Sequence, residues 1–253
     1  MISFKTRTNE DELMDDFSIT DIRLTRALEE LRVVNRFLGG YGTTMAVLKP
    51  WLKAQAVDRA NSRNPTHPIR ILDLGTGIAD FPEYIVKWAY QQSPSINLEL
   101  VAIDANPATV EYARDALKKR LLPELNAKIQ VEVADALNLP YRDGEFDLAM
   151  GAMFLHHFGE ERAIDIIQSM NRVSNGHLLI NDLHRHPLAY YSFYSLSRLF
   201  QASEMVKNDG PISVLRGFQK PELETIARKS ELQTFTIRWR WPFRWVLSTL
   251  EQD

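Results

Sequence analysis

The stretch that decides the fold is IRILDLGTGIADFPE, from Ile69 to Glu83. Its first six residues are mostly apolar, which is typical of a central parallel strand covered on both faces. Gly75 and Gly77 follow, and glycine permits backbone conformations and close ligand approach that a β-carbon would obstruct. Asp80 can cap the next helix, with Glu83 at the spacing of a capping box. The stretch therefore predicts a strand, a glycine turn and a helix, which is how open α/β sheets build a ligand crevice.

The charge of this turn narrows the class of ligand. Where a dinucleotide-binding turn would have a third glycine, this chain has Asp80, and its carboxylate would repel a pyrophosphate. Two glycines alone are weak evidence, because such turns occur in many folds. Together with the acidic residue, they predict a ligand without phosphate.

The first motif resembles that of class I S-adenosylmethionine (SAM) dependent methyltransferases, with Ala79 in place of their usual last glycine. The resemblance implies a cationic, phosphate-free cofactor, SAM, and S-adenosylhomocysteine as product. It implies that the cofactor contacts Asp73, Gly75, Gly77 and Asp80.

The ends of the next two predicted strands supply further cofactor residues. The run from Leu98 to Ile103 ends at Asp104, beside Ala105, and a carboxylate there can accept two hydrogen bonds from a ribose diol. The alternative for Asp104 is a helix cap. The run from Ile129 to Val133 is followed by Asp135 and Ala136. By resemblance to the same family, this position contacts the adenine amino group, whereas a plain turn aspartate would bond only its own loop.

The segment MFLHHF, from Met153 to Phe158, follows the predicted fourth strand. It resembles methyltransferases of the ubiquinone and menaquinone biosynthesis group, which implies that Met153 and His156 lie near the cofactor. His156 as a packed histidine and His156 as a catalyst both remain open. Adjacent histidines on a helix point about 100° apart, so we predict no metal site at His156 and His157.

A second polar cluster follows the predicted fifth strand, which runs from Gly176 to Leu183. His184, Arg185 and His186 would face the same crevice, and two imidazoles with a guanidinium suit deprotonation of an acidic hydroxyl. We predict these three as the catalytic residues, with His184 as the base and His186 as second choice. The alternative is a solvated loop that only caps the sheet.

The rest of the chain predicts a Rossmann-like α/β fold with an N-terminal helical extension and one insertion. Residues 1–60 read as a helical extension, either a cover for the sheet or a lid over the substrate, and 61–253 as the methyltransferase domain with an insertion at 184–220. The aromatic segment Pro187–Phe200 in the insertion could roof a pocket, contact a membrane surface or simply pack. Asn208 to Gly210 is predicted to be a turn. The alternating run near Trp239 predicts an antiparallel terminal hairpin, which completes a seven-stranded, mostly parallel sheet.

Composition excludes several other classes. Of 253 residues, 45% are hydrophobic and 25% charged, as in ordinary globular proteins, and the net charge of −3 gives no general attraction to nucleic acid. The absence of cysteine rules out disulfides and thiolate chemistry. No secretory signal or membrane-spanning run is evident, so we expect a cytoplasmic protein, with peripheral membrane contact still open and the oligomeric state unknown.

These observations predict a SAM-dependent methyltransferase that modifies the oxygen or ring carbon of a small, lipophilic, phenolic or quinol-like molecule. The ELMDD, NDLHRHP and RWPFR segments resemble methyltransferases of bacterial polyketide or lipid-quinone pathways. The polyketide pathways would place the protein in secondary metabolism. Two alternatives remain: an NAD(P)-dependent oxidoreductase, and a non-catalytic protein that binds SAM.

Overall fold

The computed structural model describes residues 2–250, which contain one seven-stranded sheet in the order β3-β2-β1-β4-β5-β7-β6. The first five strands are parallel, and β7 pairs antiparallel with both β5 and β6. This confirms the predicted fold class, including the terminal hairpin. The strands are β1 Ile69–Leu74, β2 Leu98–Asp104, β3 Ile129–Val133, β4 Leu148–Ala152, β5 Leu178–Leu183, β6 Thr236–Arg240 and β7 Arg244–Ser248.

Helices cover both faces of the sheet, and two short 3-10 turns, Leu13–Asp15 and Leu155–His157, lie at its carboxyl edge. No helix within residues 2–250 combines the length and the apolar character needed to cross a bilayer. The helices are α1 Ile22–Phe37, α2 Gly40–Ala60, α3 Asp80–Tyr90, α4 Pro107–Arg120, α5 Pro123–Asn126, α6 Glu160–Val173, α7 Pro187–Leu199, α8 Glu204–Arg216 and α9 Lys220–Lys229.

Burial of alternate side chains of the central strand divides the core into two layers. Ile71 packs with α2 and α3, whereas its neighbour Leu72 packs with α6 and α9 on the other face. Both side chains are fully buried. Since successive residues of a strand point to opposite faces, an apolar run here buries the strand from both sides and leaves its carboxyl end as the open edge.

Two helices differ from the sequence expectation. The sequence predicts a second helix from Thr43 through Trp51 with Pro50 near its end, because proline disfavours a helix interior. The helix instead continues to Ala60 with Pro50 inside it, and Leu48 and Leu52 are buried on either side of the proline. The predicted turn at Asn208 to Gly210 is wrong, since those residues lie within α8.

Close contact between α7 and α8 explains the glycine inside α8. A β-carbon on Gly210 would lie 1.9 Å from Cε1 of Phe193 on α7. The glycine therefore lets the aromatic ring of one helix rest against the backbone of the other. From the sequence alone, Gly210 reads as a turn-forming residue. The helix packing that requires a glycine here involves another segment and is not visible in the local sequence.

Gly210→Ala should destabilise the protein by about 1–3 kcal/mol, because the steric clash outweighs the better helix propensity of alanine. Gly42→Ala in α2 is the matched control, since a β-carbon on Gly42 would meet no neighbouring atom within 4 Å. The control should be neutral or stabilise by up to about 1 kcal/mol. Urea unfolding of both variants measures the difference, and equal stability of the two would contradict the packing argument.

Candidate functional site

A cavity of about 650 Å³ opens at the carboxyl ends of the parallel strands. Its volume is in the range of small-molecule and cofactor sites. All ten residues that the sequence predicted for cofactor contact line this one cavity: Asp73, Gly75, Gly77, Asp80, Asp104, Ala105, Asp135, Ala136, Met153 and His156.

The two glycines of the turn serve different purposes. Gly75 has a φ of +64°, and a β-carbon on it would lie 2.1 Å from Cδ2 of Phe154. Gly77 has a φ of +54°, and its β-carbon would meet only Leu28, at 3.8 Å. Both backbone conformations favour glycine. Gly75 thus lets Phe154 pack against the turn, while Gly77 keeps the cavity side of the turn open.

The start of α3 differs from the predicted cap. Ala79 occupies the N-cap position in the left-handed conformation, with a φ of +56°, and no side chain caps the helix. Asp80 is the first helical residue, and it accepts a hydrogen bond of 2.7 Å from the Tyr41 hydroxyl. The prediction that Asp80 caps α3 is therefore wrong, because its buried carboxylate is turned towards α2.

Buried carboxylates concentrate negative charge beside the glycine turn. Asp104 accepts hydrogen bonds from the backbone N–H groups of Gly77 at 3.0 Å and Asn106 at 2.9 Å. Burial raises the pKa of Asp73 to about 7, with a further contribution from the charges of Asp80 and Asp104. Burial also raises the pKa of the Asp80 and Asp104 carboxyls. A cationic ligand would favour the ionised form of these groups.

The predicted adenine-side residues lie at the rim of the cavity. Asp135 is exposed, and its carboxylate accepts a hydrogen bond of 2.9 Å from the Leu137 N–H. Ala136 beside it is buried. The carboxylate thus bonds its own loop, as a turn aspartate would, and also lines the cavity.

A group of ionisable residues at the opposite wall was not predicted as a group. His156 is buried, its Nδ1 lies 2.7 Å from Asp182 Oδ1, and its backbone N–H donates to Asp182 Oδ2 at 3.1 Å. His157 Nδ1 lies 2.9 Å from Asp15 Oδ1. Carboxylates therefore orient both imidazoles, and the two carboxylates come from distant parts of the chain.

Glu12 completes this group from the N-terminal segment. Its Oε1 lies 3.7 Å from His156 Nε2, 3.9 Å from His157 Nδ1 and 3.7 Å from Arg216 Nη1. That oxygen is buried and has no hydrogen-bond partner among residues 2–250, and burial raises the pKa of Glu12 to about 7. Glu12, His156 and His157 offer ligand atoms within 4.8 Å of one another, a spacing that a metal ion could also use. The ELMDD and MFLHHF segments contain these residues, but nothing in the sequence indicated that the two segments meet.

Arg244 is a second residue that the sequence analysis missed. It is buried at the start of β7, lines the cavity, contacts the Met153 sulfur and donates from Nε to the Leu38 carbonyl at 3.2 Å. Burial lowers its pKa to about 10, so the guanidinium stays charged at neutral pH. The RWPFR segment contains this residue, but its inward orientation follows only from the hairpin.

The three predicted catalytic residues lie elsewhere: none is among the described residues that line the cavity. His186 caps α7 by accepting a hydrogen bond of 3.1 Å at Nδ1 from the Leu188 N–H, and its ring stacks on Phe243. His184 Nδ1 lies 3.2 Å from Trp239 Nε1. Both imidazoles thus belong to an aromatic group beside the hairpin.

Arg185 is fully buried and acts as an anchor for the N-terminal segment. Its guanidinium pairs with Glu222 through bonds of 2.8 and 3.1 Å. It also donates to the carbonyls of Gly217, Phe4 and Lys5. With its donors occupied in this way, Arg185 holds residues near the chain's start against β5 and α9, and we assign it no contact with a substrate.

Arg185→Ala should destabilise the protein by roughly 3 kcal/mol, because buried carbonyls lose their donors and Glu222 loses its partner. Lys220→Ala is the control, since Lys220 and Glu224 form a surface pair with side chains 51% and 40% exposed. Its removal should change stability by less than about 0.5 kcal/mol. Guanidinium unfolding checks both values, and an Arg185→Ala variant as stable as the control would refute the anchoring role.

Comparison with known proteins adds family evidence to this geometry. Residues 71–176 match the sequence family described as a methyltransferase domain. The chain is 30% identical over 107 residues to norajmaline N-methyltransferase of Rauvolfia serpentina, covering 42% of this chain and 32% of that protein. It is 30% identical over 118 residues to demethylmenaquinone methyltransferase of Deinococcus radiodurans, covering 46% of this chain and 42% of that protein. The chain thus spans well under half the length of these curated relatives.

A solved structure extends the likeness to nearly the whole chain. Human N-acetylserotonin methyltransferase in complex with SAM superposes with a TM-score of 0.61 at 14% identity, covering 95% of this chain and 59% of that one. At this level of identity the likeness concerns the fold alone.

Proposed function

We propose that this chain, which carries a class I SAM-dependent methyltransferase domain, transfers a methyl group from SAM to a small, apolar, phenolic or quinol-like acceptor. One observation carries the proposal: the predicted cofactor residues and a largely apolar wall enclose the same cavity. Such a cavity can hold a polar cofactor at one end and a lipophilic acceptor at the other.

The residues on the cofactor side fit SAM. Gly77 leaves the turn open, and the Asp104 carboxylate, already oriented by two backbone N–H groups, retains lone pairs for a ribose diol. Asp73 and Asp80 contribute negative charge near a cationic ligand. When bound, SAM supplies an electrophilic methyl group on a positively charged sulfur. The same acidic turn disfavours the pyrophosphate of NAD(P), which argues against the oxidoreductase alternative.

Most of the proposed acceptor side comes from segments outside the family-matched region 71–176. We propose that helix α1 and the insertion form a wall over the acceptor, in keeping with the predicted roles of residues 1–60 and 184–220. Apolar and aromatic side chains in this wall favour burial of a flat or lipophilic molecule. The apolar residues of the wall are Leu24, Leu28, Leu31 and Val34 of α1, Leu38 directly after α1, Phe193 and Leu196 of α7, Val214 of α8, and Trp241, Pro242 and Phe243 of the hairpin turn.

The similarity to demethylmenaquinone methyltransferase supports a quinol-like acceptor and methylation at ring carbon or oxygen. The similarity to norajmaline N-methyltransferase leaves nitrogen as a second methyl-accepting atom. A place in quinone or polyketide methylation follows as a proposal from the ELMDD and NDLHRHP resemblances. The acceptor wall, rather than either relative, is the argument for a lipophilic molecule.

A binding and transfer experiment tests the function. Calorimetry should show that SAM and S-adenosylhomocysteine bind the purified chain, and Asp104→Asn should weaken both by at least about tenfold through loss of charge-assisted hydrogen bonds. Asp115→Asn is the control, because Asp115 is an exposed aspartate of α4. Label from methyl-labelled SAM should then appear on members of a panel of alkylated phenols and quinols.

The outcomes separate the alternatives. Binding without transfer to any phenol, quinol or amine in the panel would favour the non-catalytic alternative. Failure to bind SAM, with tight binding of a nicotinamide cofactor, would overturn the proposal.

Cofactor affinity should depend on pH through Asp73. The Asp73 pKa is about 7, and a cationic ligand favours the ionised carboxylate. SAM should therefore bind more tightly as the pH rises from about 5.5 to about 7.5, with its dissociation constant falling by at most about tenfold per pH unit. Asp73→Asn should flatten this dependence. S-adenosylhomocysteine, which lacks the sulfonium charge, should show a shallower slope. Calorimetric titrations across this range measure all three, and a parallel slope in the Asn variant would rule out Asp73 as its source.

A further inference from the structure

Two hydrogen-bond acceptors face each other across a short gap in the cavity wall. Asp182 engages Nδ1 of His156, which in the neutral imidazole makes that nitrogen the donor and leaves Nε2 with a lone pair. His156 Nε2 lies 3.7 Å from Glu12 Oε1, and that oxygen has no hydrogen-bond partner in the described chain. A buried pair of acceptors requires a proton or a donor group between them.

Two neighbouring side chains, Arg216 and His157, do not fill this gap because they have other partners. On α8, Arg216 donates to Asp15 Oδ2 at 2.6 Å and to the His157 carbonyl at 2.7 Å. His157 Nδ1 lies 2.9 Å from Asp15 Oδ1. Both remain 3.7–3.9 Å from Glu12 Oε1, beyond hydrogen-bond distance.

The other groups around the pair complete its electrostatic setting. The Ser213 hydroxyl of α8 interacts with Glu12, and Asp182 of β5 lies behind His156. Arg7 of the N-terminal segment donates to the His156 carbonyl at 2.7 Å. A hydroxyl, a carboxylate and a guanidinium group thus lie near the pair, and each of them already has a hydrogen-bond partner.

We propose that Glu12 and His156 together bind the hydroxyl or amine hydrogen of the methyl acceptor and take up its proton during transfer. An oxygen placed about 2.8 Å from each atom would form the apex of a triangle on the 3.7 Å base. Glu12 Oε1 is closed to solvent in this structure, so the acceptor reaches it only when the side chains around the gap move apart. Both residues line the cavity that contains the predicted cofactor residues. This inference rests on the proposed methyltransferase function, and it assigns a chemical role to a residue outside the matched domain.

SAM as the methyl donor accounts for every atom and electron pair in the proposed transfer. The acceptor O–H or N–H bond breaks and its proton passes to Glu12 Oε1 or His156 Nε2. The new bond from oxygen or nitrogen to the methyl carbon forms as the C–S bond breaks, with its electron pair returning to sulfur. The proton then leaves to solvent, and a Glu12 pKa of about 7 suits both uptake and release near neutral pH.

Glu12→Gln tests the proposal, because glutamine keeps the shape but cannot take up the proton. With saturating SAM and a phenol that the wild-type chain methylates, kcat should fall by about 10²-fold, and the rise of wild-type activity with pH through about 7 should disappear. Affinity for S-adenosylhomocysteine should stay within about twofold, because Glu12 is proposed to contact the acceptor rather than the cofactor. Glu10→Gln, an exposed glutamate in the same segment, is the matched control and should behave as wild type.

A stability measurement gives a readout that needs no substrate. A carboxyl whose pKa is raised on folding is stabilising only while it is protonated, so its folded state loses stability as pH rises from its unfolded to its folded pKa. The melting temperature of the wild type should therefore fall relative to Glu12→Gln between about pH 5 and about pH 8. Glu12→Asp, which keeps the carboxyl, should restore part of the turnover and its pH dependence.

Each other result overturns the proposal. If Glu12→Gln retains wild-type turnover and pH profile, the pair accepts no proton, although the methyltransferase function stands. If wild type and Glu12→Gln melt in parallel across pH, the pair shares no titrating proton, whether or not transfer is found. If a chelator abolishes activity and the purified chain carries a metal lost in Glu12→Gln, the group is a metal centre instead.

Discussion

The candidate site depends on the sharp turn between β1 and α3. A fully buried strand must leave the core within a few residues, and the left-handed conformations of Gly75, Gly77 and Ala79 make that reversal. Phe154 from the end of β4 then packs directly against Gly75. The turn thereby brings the ends of two adjacent strands together and forms the floor of the cavity.

Buried negative charge is the second constraint on this site. Asp73, Asp80 and Asp104 are held near the turn in surroundings that raise their pKa values, and a protein gains nothing in stability from such an arrangement. Groups kept under such conditions are typical of functional sites. A cationic cofactor relieves the unfavourable charge, which is why the same residues that cost stability fit SAM.

The N-terminal segment becomes part of the site through contacts with elements late in the chain. Arg185 binds the carbonyls of Phe4 and Lys5, and Asp209 of α8 accepts the N–H groups of Leu13 and Met14. These anchors place the intervening residues, Glu12 among them, against the 3-10 turn that carries the histidines. In the function proposed above, the family-matched region would supply the cofactor side of the cavity and the flanking segments most of its acceptor side.

The sequence by itself determined the mostly parallel sheet, the antiparallel terminal hairpin and the residues at the strand ends that are proposed to hold the cofactor. Each of these depends on a local pattern: an apolar run, a glycine turn or a carboxylate at a strand end. Asp104 and Gly77 could be found this way, since their place follows from the ends of adjacent strands. Only the tertiary structure decided which residues form the cavity wall that contains Glu12 and His156. His184 and Arg185 follow β5 as expected, yet their side chains turn to the hairpin and to the N-terminal segment, while Glu12 reaches His156 through long-range contacts. Such pairings depend on how distant segments pack, and no local period or motif encodes them.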